Sequence, residues 1–107
     1  MLYKTEFPDY DDVLRFPKGF TNCNKFVDCS YHNDVCPHVA MRFKCGGAEV
    51  EYDVWQDYLD PNKREYTSSK RFLLTIKVND ALLFYYETDE WEEMEKFIST
   101  HLFLYPN

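Results

Sequence analysis

The sequence predicts an α+β fold: an antiparallel meander of about five strands, a C-terminal amphipathic helix packed on one sheet face, and a short N-terminal helix. The sheet is predicted because two pairs of apolar segments are each joined by a two-residue turn. The C-terminal helix is predicted because apolar residues there recur at helical spacing. No strand–helix–strand alternation calls for a parallel sheet, and the 107 residues are expected to form one domain, 1–107.

The first hairpin is predicted around Gly46-Gly47, because two adjacent glycines accept the positive φ angles of a tight turn. A two-residue turn fixes the register of the flanking strands. The predicted pairs of the apolar face are Cys45–Ala48, Phe43–Val50, Met41–Tyr52 and Val39–Val54. On the other face Lys44 meets Glu49 and Arg42 meets Glu51, so opposite charges pair across the strands.

The second hairpin is predicted around Asn79-Asp80, between residues 71–78 and 81–87. A regular ladder places one apolar set on each face of this hairpin. One set is Phe72, Leu74, Ile76, Leu83 and Tyr85, and the other is Leu73, Leu82, Phe84 and Tyr86. Two apolar faces indicate either central strands covered on both sides or a face that binds something.

The remaining segments predict shorter elements. Residues 7–16 contain three aspartates after Pro8 and are predicted to form about two helical turns. Residues 26–31 alternate and predict a strand, whereas 57–69 predict a polar loop. Asp89 and Glu92 have the spacing of a capping box at the start of the C-terminal helix. The predicted buried stripe of that helix is Trp91, Met94, Phe97, Ile98, His101 and Leu102.

The net charge of −7 disfavours direct binding to nucleic acid or to an anionic membrane and favours a basic protein partner. No stretch reaches the ~20 apolar residues of a membrane span, and the N-terminal residues contain no apolar signal-peptide core. We therefore expect the protein in the cytoplasm. There, Cys23, Cys29, Cys36 and Cys45 are expected to be free thiols, although a secreted domain would pair them in two disulfides.

A cluster of thiols and imidazoles is the first candidate for chemistry. Cys29, His32, Cys36 and His38 lie within ten residues and are candidate ligands of a tetrahedral zinc ion. Their spacing matches none of the usual zinc-knuckle spacings, and the one-residue gap before His38 is awkward for wrapping one ion. The alternative is a core cysteine on a strand followed by loop residues. We expect no cofactor.

The same segment contains the parts of a thiol nucleophile, with Cys29 or Cys36 activated by His32 and oriented by Asp28 or Asp34. No helix N-terminus is predicted just after either cysteine to form an oxyanion hole. We therefore expect a protein that is not an enzyme. A small zinc-binding or thiol-dependent enzyme centred on residues 29–38 is the alternative from another functional class.

The charges are segregated along the sequence. Residues 49–60 and 87–95 carry carboxylates and no basic residue, and basic residues gather at Lys63, Arg64, Lys70 and Arg71. Cross-strand pairing and the Glu92–Lys96 pair neutralise part of this acidity. The carboxylates left over are the candidate partner-binding residues, namely Asp53, Asp57, Asp60, Glu90 and Glu93. The alternative is an ordinary solvated face.

The run SYHNDVCP at residues 30–37, followed by a strand rich in Val, Met and Phe, resembles small proteins of phages and mobile elements. The short, acidic, single-domain profile is similar to that of anti-CRISPR proteins. This resemblance implies an inhibitor that binds a basic surface of a nucleic-acid-binding nuclease or other effector in the host cytoplasm. Toxin-immunity proteins share the profile and are the close alternative. A homodimer through Leu82, Phe84 and Tyr86 is a further alternative.

Overall fold

The computed structural model describes residues 2–18 and 25–101, and within them five strands form one antiparallel sheet accompanied by two helices. The elements in chain order are α1 (Leu2–Glu6), β1 (Val27–Asp28), β2 (His38–Cys45), β3 (Ala48–Gln56), a 3₁₀ turn (Pro61–Lys63), β4 (Phe72–Val78), β5 (Ala81–Thr88) and α2 (Trp91–His101). The strands lie in sequence order from β1 to β5, so β1 and β5 are the edge strands. The predicted α+β meander is confirmed. No helix in the described ranges is long and apolar enough to cross a membrane.

The first hairpin has the predicted register at every pair, from Cys45 opposite Ala48 to Val39 opposite Val54. Both turn glycines have positive φ, +58° at Gly46 and +86° at Gly47. The charged face also forms as predicted, because Arg42 Nε donates to Glu51 Oε1 at 2.7 Å. This hairpin supplies the centre of the sheet.

The second hairpin turns at Asn79 and Asp80 as predicted, with φ angles of 49° and 66°. The predicted faces are wrong, because a bulge lies in this ladder. Ile76 faces Phe84, and Lys77 faces Leu82, so Leu83 is an extra residue in β5. An extra residue moves every later side chain to the opposite face.

The bulge decides what β5 contributes to the core. Phe84 and Tyr86 lie on the same sheet face as Ile76 and Leu74, and both rings stack on Phe97 of α2. Tyr85 faces Thr75 on the opposite side of the sheet. The proposed homodimer seam of Leu82, Phe84 and Tyr86 therefore does not lie on one face.

The core lies between one face of the sheet and the two helices. Met94 and Ile98 of α2 are fully buried in one cluster with Val54 and Leu74, and Tyr3 of α1 belongs to the same cluster. The predicted stripe is confirmed at Trp91, Met94, Phe97 and Ile98. Leu102 and the side chain of His101 lie outside the described residues. We call the sheet face opposite the helices the open face.

The predicted capping box at the start of α2 is wrong. Asp89 turns towards the start of β4, where its Oδ1 accepts from the Arg71 amide at 3.0 Å. Lys70 Nζ lies 3.4 Å from the other oxygen of this carboxylate. Thr88 Oγ1 instead accepts from the Glu90 amide at 3.2 Å, just before the helix begins.

The predicted helix at 7–16 is also wrong, because the N-terminal helix is α1 at Leu2–Glu6 and residues 7–18 are irregular. The carboxylates of Asp9, Asp11 and Asp12 bind groups on other segments. The predicted strand at 26–31 shortens to β1. The Asp28 carboxylate accepts from the Ser30 amide at 3.0 Å and from the Tyr3 amide at 2.8 Å, which turns the chain out of the ladder.

Candidate protein-binding surface

The four candidate zinc ligands do not come together. His32 bonds through Nδ1 to Glu6 Oε1 of α1 at 2.8 Å, whereas His38 lies on β2 and its Nε2 is 3.4 Å from Asp53 Oδ1. Cys36 is buried in the loop before β2. In the part of the chain that the structure describes, no three His, Cys, Asp or Glu side chains are arranged to hold a metal ion.

The candidate nucleophiles are protonated thiols. Burial raises the pKa of Cys36 far above its usual range, and the nearby Asp57 and Asp34 carboxylates raise it further. Burial is also the main cause that raises the pKa of Cys29, with the charges of Asp53, Asp28 and Glu51 adding to it. A thiol nucleophile needs a lowered pKa, so this environment does not favour covalent catalysis by either cysteine.

Asp53, one of the five candidate partner-binding carboxylates, is 1% exposed and is therefore not accessible to a partner in this structure. It lies on the open face, between Ala40 of β2 and Thr75 of β4. The rings of His38 and Trp55 stack beside it with centroids 4.0 Å apart. Trp55 Nε1 reaches across to Thr75 Oγ1 at 3.2 Å and helps to cover the carboxylate.

The Asp53 carboxylate is charged because of its neighbours. Burial by itself raises the pKa of Asp53, but the neighbouring His38, whose Nε2 lies 3.4 Å from Asp53 Oδ1, outweighs burial and lowers it. Because the Asp53 carboxylate is buried, it is a structural group of the sheet and not a contact for a partner.

The other four candidate carboxylates divide into two pairs. Asp57 is half-buried, burial raises its pKa, and its Oδ1 accepts from the Tyr58 amide at 2.9 Å. Asp60 is exposed and caps the 3₁₀ turn by accepting from the Asn62 amide at 2.9 Å. Glu90 and Glu93 are exposed at the start of α2. Glu90 and Glu93 therefore lie where a partner can reach them.

The aspartates of the N-terminal segment dock it onto the loop after β3. Asp11 accepts from the backbone amides of Leu59 and Asp60, both at 2.8 Å. Asp9 Oδ1 accepts from the Tyr58 hydroxyl at 2.9 Å. Carboxylates that bind backbone amides satisfy donors that the irregular loop would leave unpaired. These aspartates therefore hold the N-terminal segment against the loop after β3.

Half of the basic cluster predicted from the sequence is also internal. The Arg64 guanidinium donates to the carbonyls of Tyr58, Leu59 and Ser69 at 2.7, 3.3 and 2.9 Å, which closes the loop around it. Arg71 is 8% exposed and binds Asp12. Lys63 and Lys70 are the exposed members of that cluster.

The most unusual surface feature lies on β5. Four consecutive large apolar side chains are exposed there: Leu82 at 60%, Leu83 at 71%, Phe84 at 42% and Tyr85 at 60%. We call these four residues the apolar strip. Scattered exposed apolar residues are ordinary, but a contiguous group is typical of an interaction surface.

The apolar strip leads directly into acidic residues. We define the acidic end as four exposed carboxylates, Glu87, Asp89, Glu90 and Glu93. Among the bases described near it, Lys70 pairs with Asp89 at 3.4 Å, an exposed contact that contributes little. The surface thus combines an apolar centre with a negative flank, and an apolar centre with a polar rim is the usual composition of protein interfaces.

A groove on the open face adjoins the apolar strip. It has a volume of about 520 Å³, and Leu82 and Glu87 of β5 form one side. Its floor contains Trp55, Leu73 and Thr75, and residues 33–36 and 69–71 form its walls. An apolar floor beside charged walls extends the candidate surface from the sheet edge onto the open face.

The sequence contained a signal for this surface. Residues 81–86, ALLFYY, hold no charge, proline or glycine, and both faces of the second hairpin are apolar. Two explanations were open: central strands, or a face that binds something. Because β5 is an edge strand, the first explanation fails for it.

Comparisons with protein-family models, with curated proteins and with solved structures find no match for this chain.

Proposed function

We propose that this protein is a small cytoplasmic inhibitor that binds the basic surface of a nucleic-acid enzyme through its apolar strip and acidic end. The observation that carries the proposal is the row of four exposed apolar side chains on β5. Burying such a row against a partner supplies the main favourable term of association.

The charge distribution supports a basic partner. The chain carries a net charge of −7, and the acidic end places four carboxylates beside the apolar strip. Opposite charge speeds encounter and orients the two surfaces. Nucleases that bind DNA or RNA have basic grooves, so an acidic inhibitor competes with nucleic acid for the same region. The resemblance to anti-CRISPR proteins in length, acidity and single-domain profile favours an RNA-guided nuclease as the inhibited enzyme.

The free cysteines support the proposed cytoplasmic location. Cys29, Cys36 and Cys45 are free, and Cys36 is buried. Reducing compartments keep thiols in this state.

A nuclease-inhibition assay tests the function. The protein is added to a panel of RNA-guided nucleases, and target DNA cleavage is measured at increasing salt. We expect inhibition of at least one nuclease, weakening as salt rises because exposed charges are screened. Inhibition of none of them contradicts the inhibitor assignment.

A charge-reversal pair identifies the surface. The double change Glu90→Lys and Glu93→Lys should weaken inhibition by about tenfold or more, because two attractive contacts become repulsive. The matched control is Glu65→Lys, an exposed glutamate on the loop between β3 and β4. Equal inhibition by the two variants contradicts a role for the acidic end.

A further inference from the structure

We infer that the partner contributes an extended segment that pairs with the outer edge of β5 as an additional strand, with basic residues beside the acidic end. This inference deepens the proposed function and rests on it. It concerns the mode of binding and the chemistry of the segment that is bound.

The outer edge of β5 is long, and no strand pairs with it in the part of the chain that the structure describes. β5 contains eight residues and is the last strand of the sheet, so no other described strand lies beyond it. Alternate residues of an edge strand direct N–H and C=O groups away from the sheet, where they can pair with another strand. At ~3.3 Å per residue, this edge presents roughly 26 Å of backbone.

The usual protections of a sheet edge are weak on β5. Natural edges are blunted by short strands, charged residues, proline or bulges. The opposite edge is protected because its strand, β1, is only two residues long. Residues 81–86 contain no charge or proline, and the bulge at Leu83 leaves regular pairing from Phe84 to Thr88. The edge that is long is also the edge that is apolar.

Side chains on both sides of the edge are placed to contact an added strand. Phe84 lies on the helix side and is 42% exposed despite its stacking on Phe97. Tyr85 lies on the open face and is 60% exposed. An incoming strand presents alternate side chains to the two faces, so apolar residues would cover one ring or the other. The backbone pairs and the side-chain contacts act together.

Charge selects a basic segment over a second copy of the chain. Antiparallel self-pairing centred on Phe84 places Glu87 of one copy opposite Ala81 of the other, next to its Asp80. This arrangement brings carboxylates together in two molecules that each carry a charge of −7. Like charges across a strand pair are unfavourable, whereas lysine or arginine at those positions is attractive.

The test uses a synthetic peptide of alternating valine and lysine, with a valine–glutamate peptide as the matched control. Binding to the full chain is followed by backbone amide exchange and by titration. We expect slower exchange at the outward-directed amides of β5 and unchanged exchange at Val27 and Asp28 on the opposite edge. The valine–glutamate peptide should bind at least about tenfold more weakly, and Glu87→Lys should weaken the valine–lysine peptide about threefold to tenfold.

Three outcomes overturn the inference. The first is that neither peptide binds. The second is that the valine–lysine peptide binds without slowing exchange at the amides of β5. The third is that these amides are already protected in the chain alone, because it forms a dimer that light scattering detects. Each of these outcomes leaves the nuclease assay unchanged, so strand addition fails while the proposed function stands. If the charge reversal at Glu90 and Glu93 leaves inhibition intact, the acidic end is not part of the binding surface. This conclusion holds whatever the result of the peptide experiments.

Discussion

Arg71 joins the N-terminal segment to the sheet. Its guanidinium contacts Asp12 Oδ2 at 2.5 Å, donates to the Asp57 carbonyl at 3.1 Å and lies over the Phe72 ring at 5.2 Å. Burial by itself raises the pKa of Asp12, but hydrogen bonds from Arg71 and Arg15 outweigh it and lower the pKa from 3.8 to about 2. The pair therefore stabilises the folded state only while Asp12 is ionised.

Asp12→Asn should reduce the free energy of unfolding at pH 7 by about 2 kcal/mol, because the pKa of Asp12 is lower in the folded chain. A depressed folded pKa gives stability that is complete above the unfolded pKa and is lost as pH falls towards about 2. Urea unfolding between pH 7 and pH ~2 measures this. The variant should lose part of the acid dependence, whereas Asp80→Asn in the turn should keep it. Identical pH profiles for Asp12→Asn and the parent chain would contradict the pairing.

Because Asp53 is buried, its substitution by a cationic residue is expected to destabilise the fold. Asp53→Lys should destabilise the fold by about 3–5 kcal/mol, because it removes an ion from beside His38 and buries a cation instead. Glu90→Lys, at an exposed position, should change stability by less than about 0.5 kcal/mol. Chemical denaturation of both variants checks this. A fully stable Asp53→Lys variant would show that Asp53 is accessible after all.

Alternation along β3 correctly predicted which face Asp53 occupies, but it could not predict what covers that face. Polar residues on an alternating strand are normally solvated. Here the stacked His38 and Trp55 rings, which come from two strands, enclose the carboxylate. Trp55 follows the last apolar residue of the predicted alternation, so no pattern in the sequence indicated its reach across to Thr75.

At the scale of elements, the two hairpins differ in how strongly the sequence specifies their register. The first has one apolar and one charged face, so a slip of one residue would bury Arg42 or Lys44. The second is apolar on both faces, so a slip costs little and the pattern does not reveal the bulge. The packing of Phe84 and Tyr86 on Phe97 selects the observed register.

Deleting Leu83 tests the bulge. Because Leu83 is the extra residue, its deletion leaves Phe84 opposite Ile76 and Leu82 opposite Lys77 in a regular ladder. We expect the free energy of unfolding to change by no more than about 1 kcal/mol, since Leu83 is largely exposed. Deleting Tyr85 instead places Leu83 opposite Ile76 and Phe84 opposite Thr75, which removes the Phe84 ring from Phe97 and should cost more than the deletion of Leu83. Denaturation curves that reverse this order would support the regular ladder predicted from the sequence.

The irregular structure of residues 7–18 could not be predicted from the sequence either, because it depends on contacts with distant residues. The aspartates of this segment have the composition of a helix start. The backbone of this segment is instead bound by a residue distant in the chain: Gln56 Oε1 accepts from the Arg15 amide at 2.9 Å, and Gln56 Nε2 donates to the Val13 carbonyl at 2.9 Å. Long-range hydrogen bonds of this kind override a local helical preference.

At the scale of the whole molecule, the two helices cover one face of the sheet and leave the groove on the open face and the β5 edge accessible. Tyr3 of α1 and Met94 of α2 lie in the same core cluster. The groove of about 520 Å³ lies on the open face and meets the apolar strip at Leu82. Function is therefore expected on the side of the sheet that has no helix and along its long edge.

The most direct test of the central claim measures binding of strip variants to an inhibited nuclease by calorimetry. Leu83→Ser with Tyr85→Ser removes two exposed side chains of the apolar strip, and Leu59→Ser removes a comparably exposed leucine elsewhere, 55% accessible. The account predicts at least about tenfold weaker binding for the strip variant and unchanged binding for Leu59→Ser, with both variants as stable as the parent. Equal affinity for the strip variant and the parent chain would contradict the claim that the apolar strip is the binding surface.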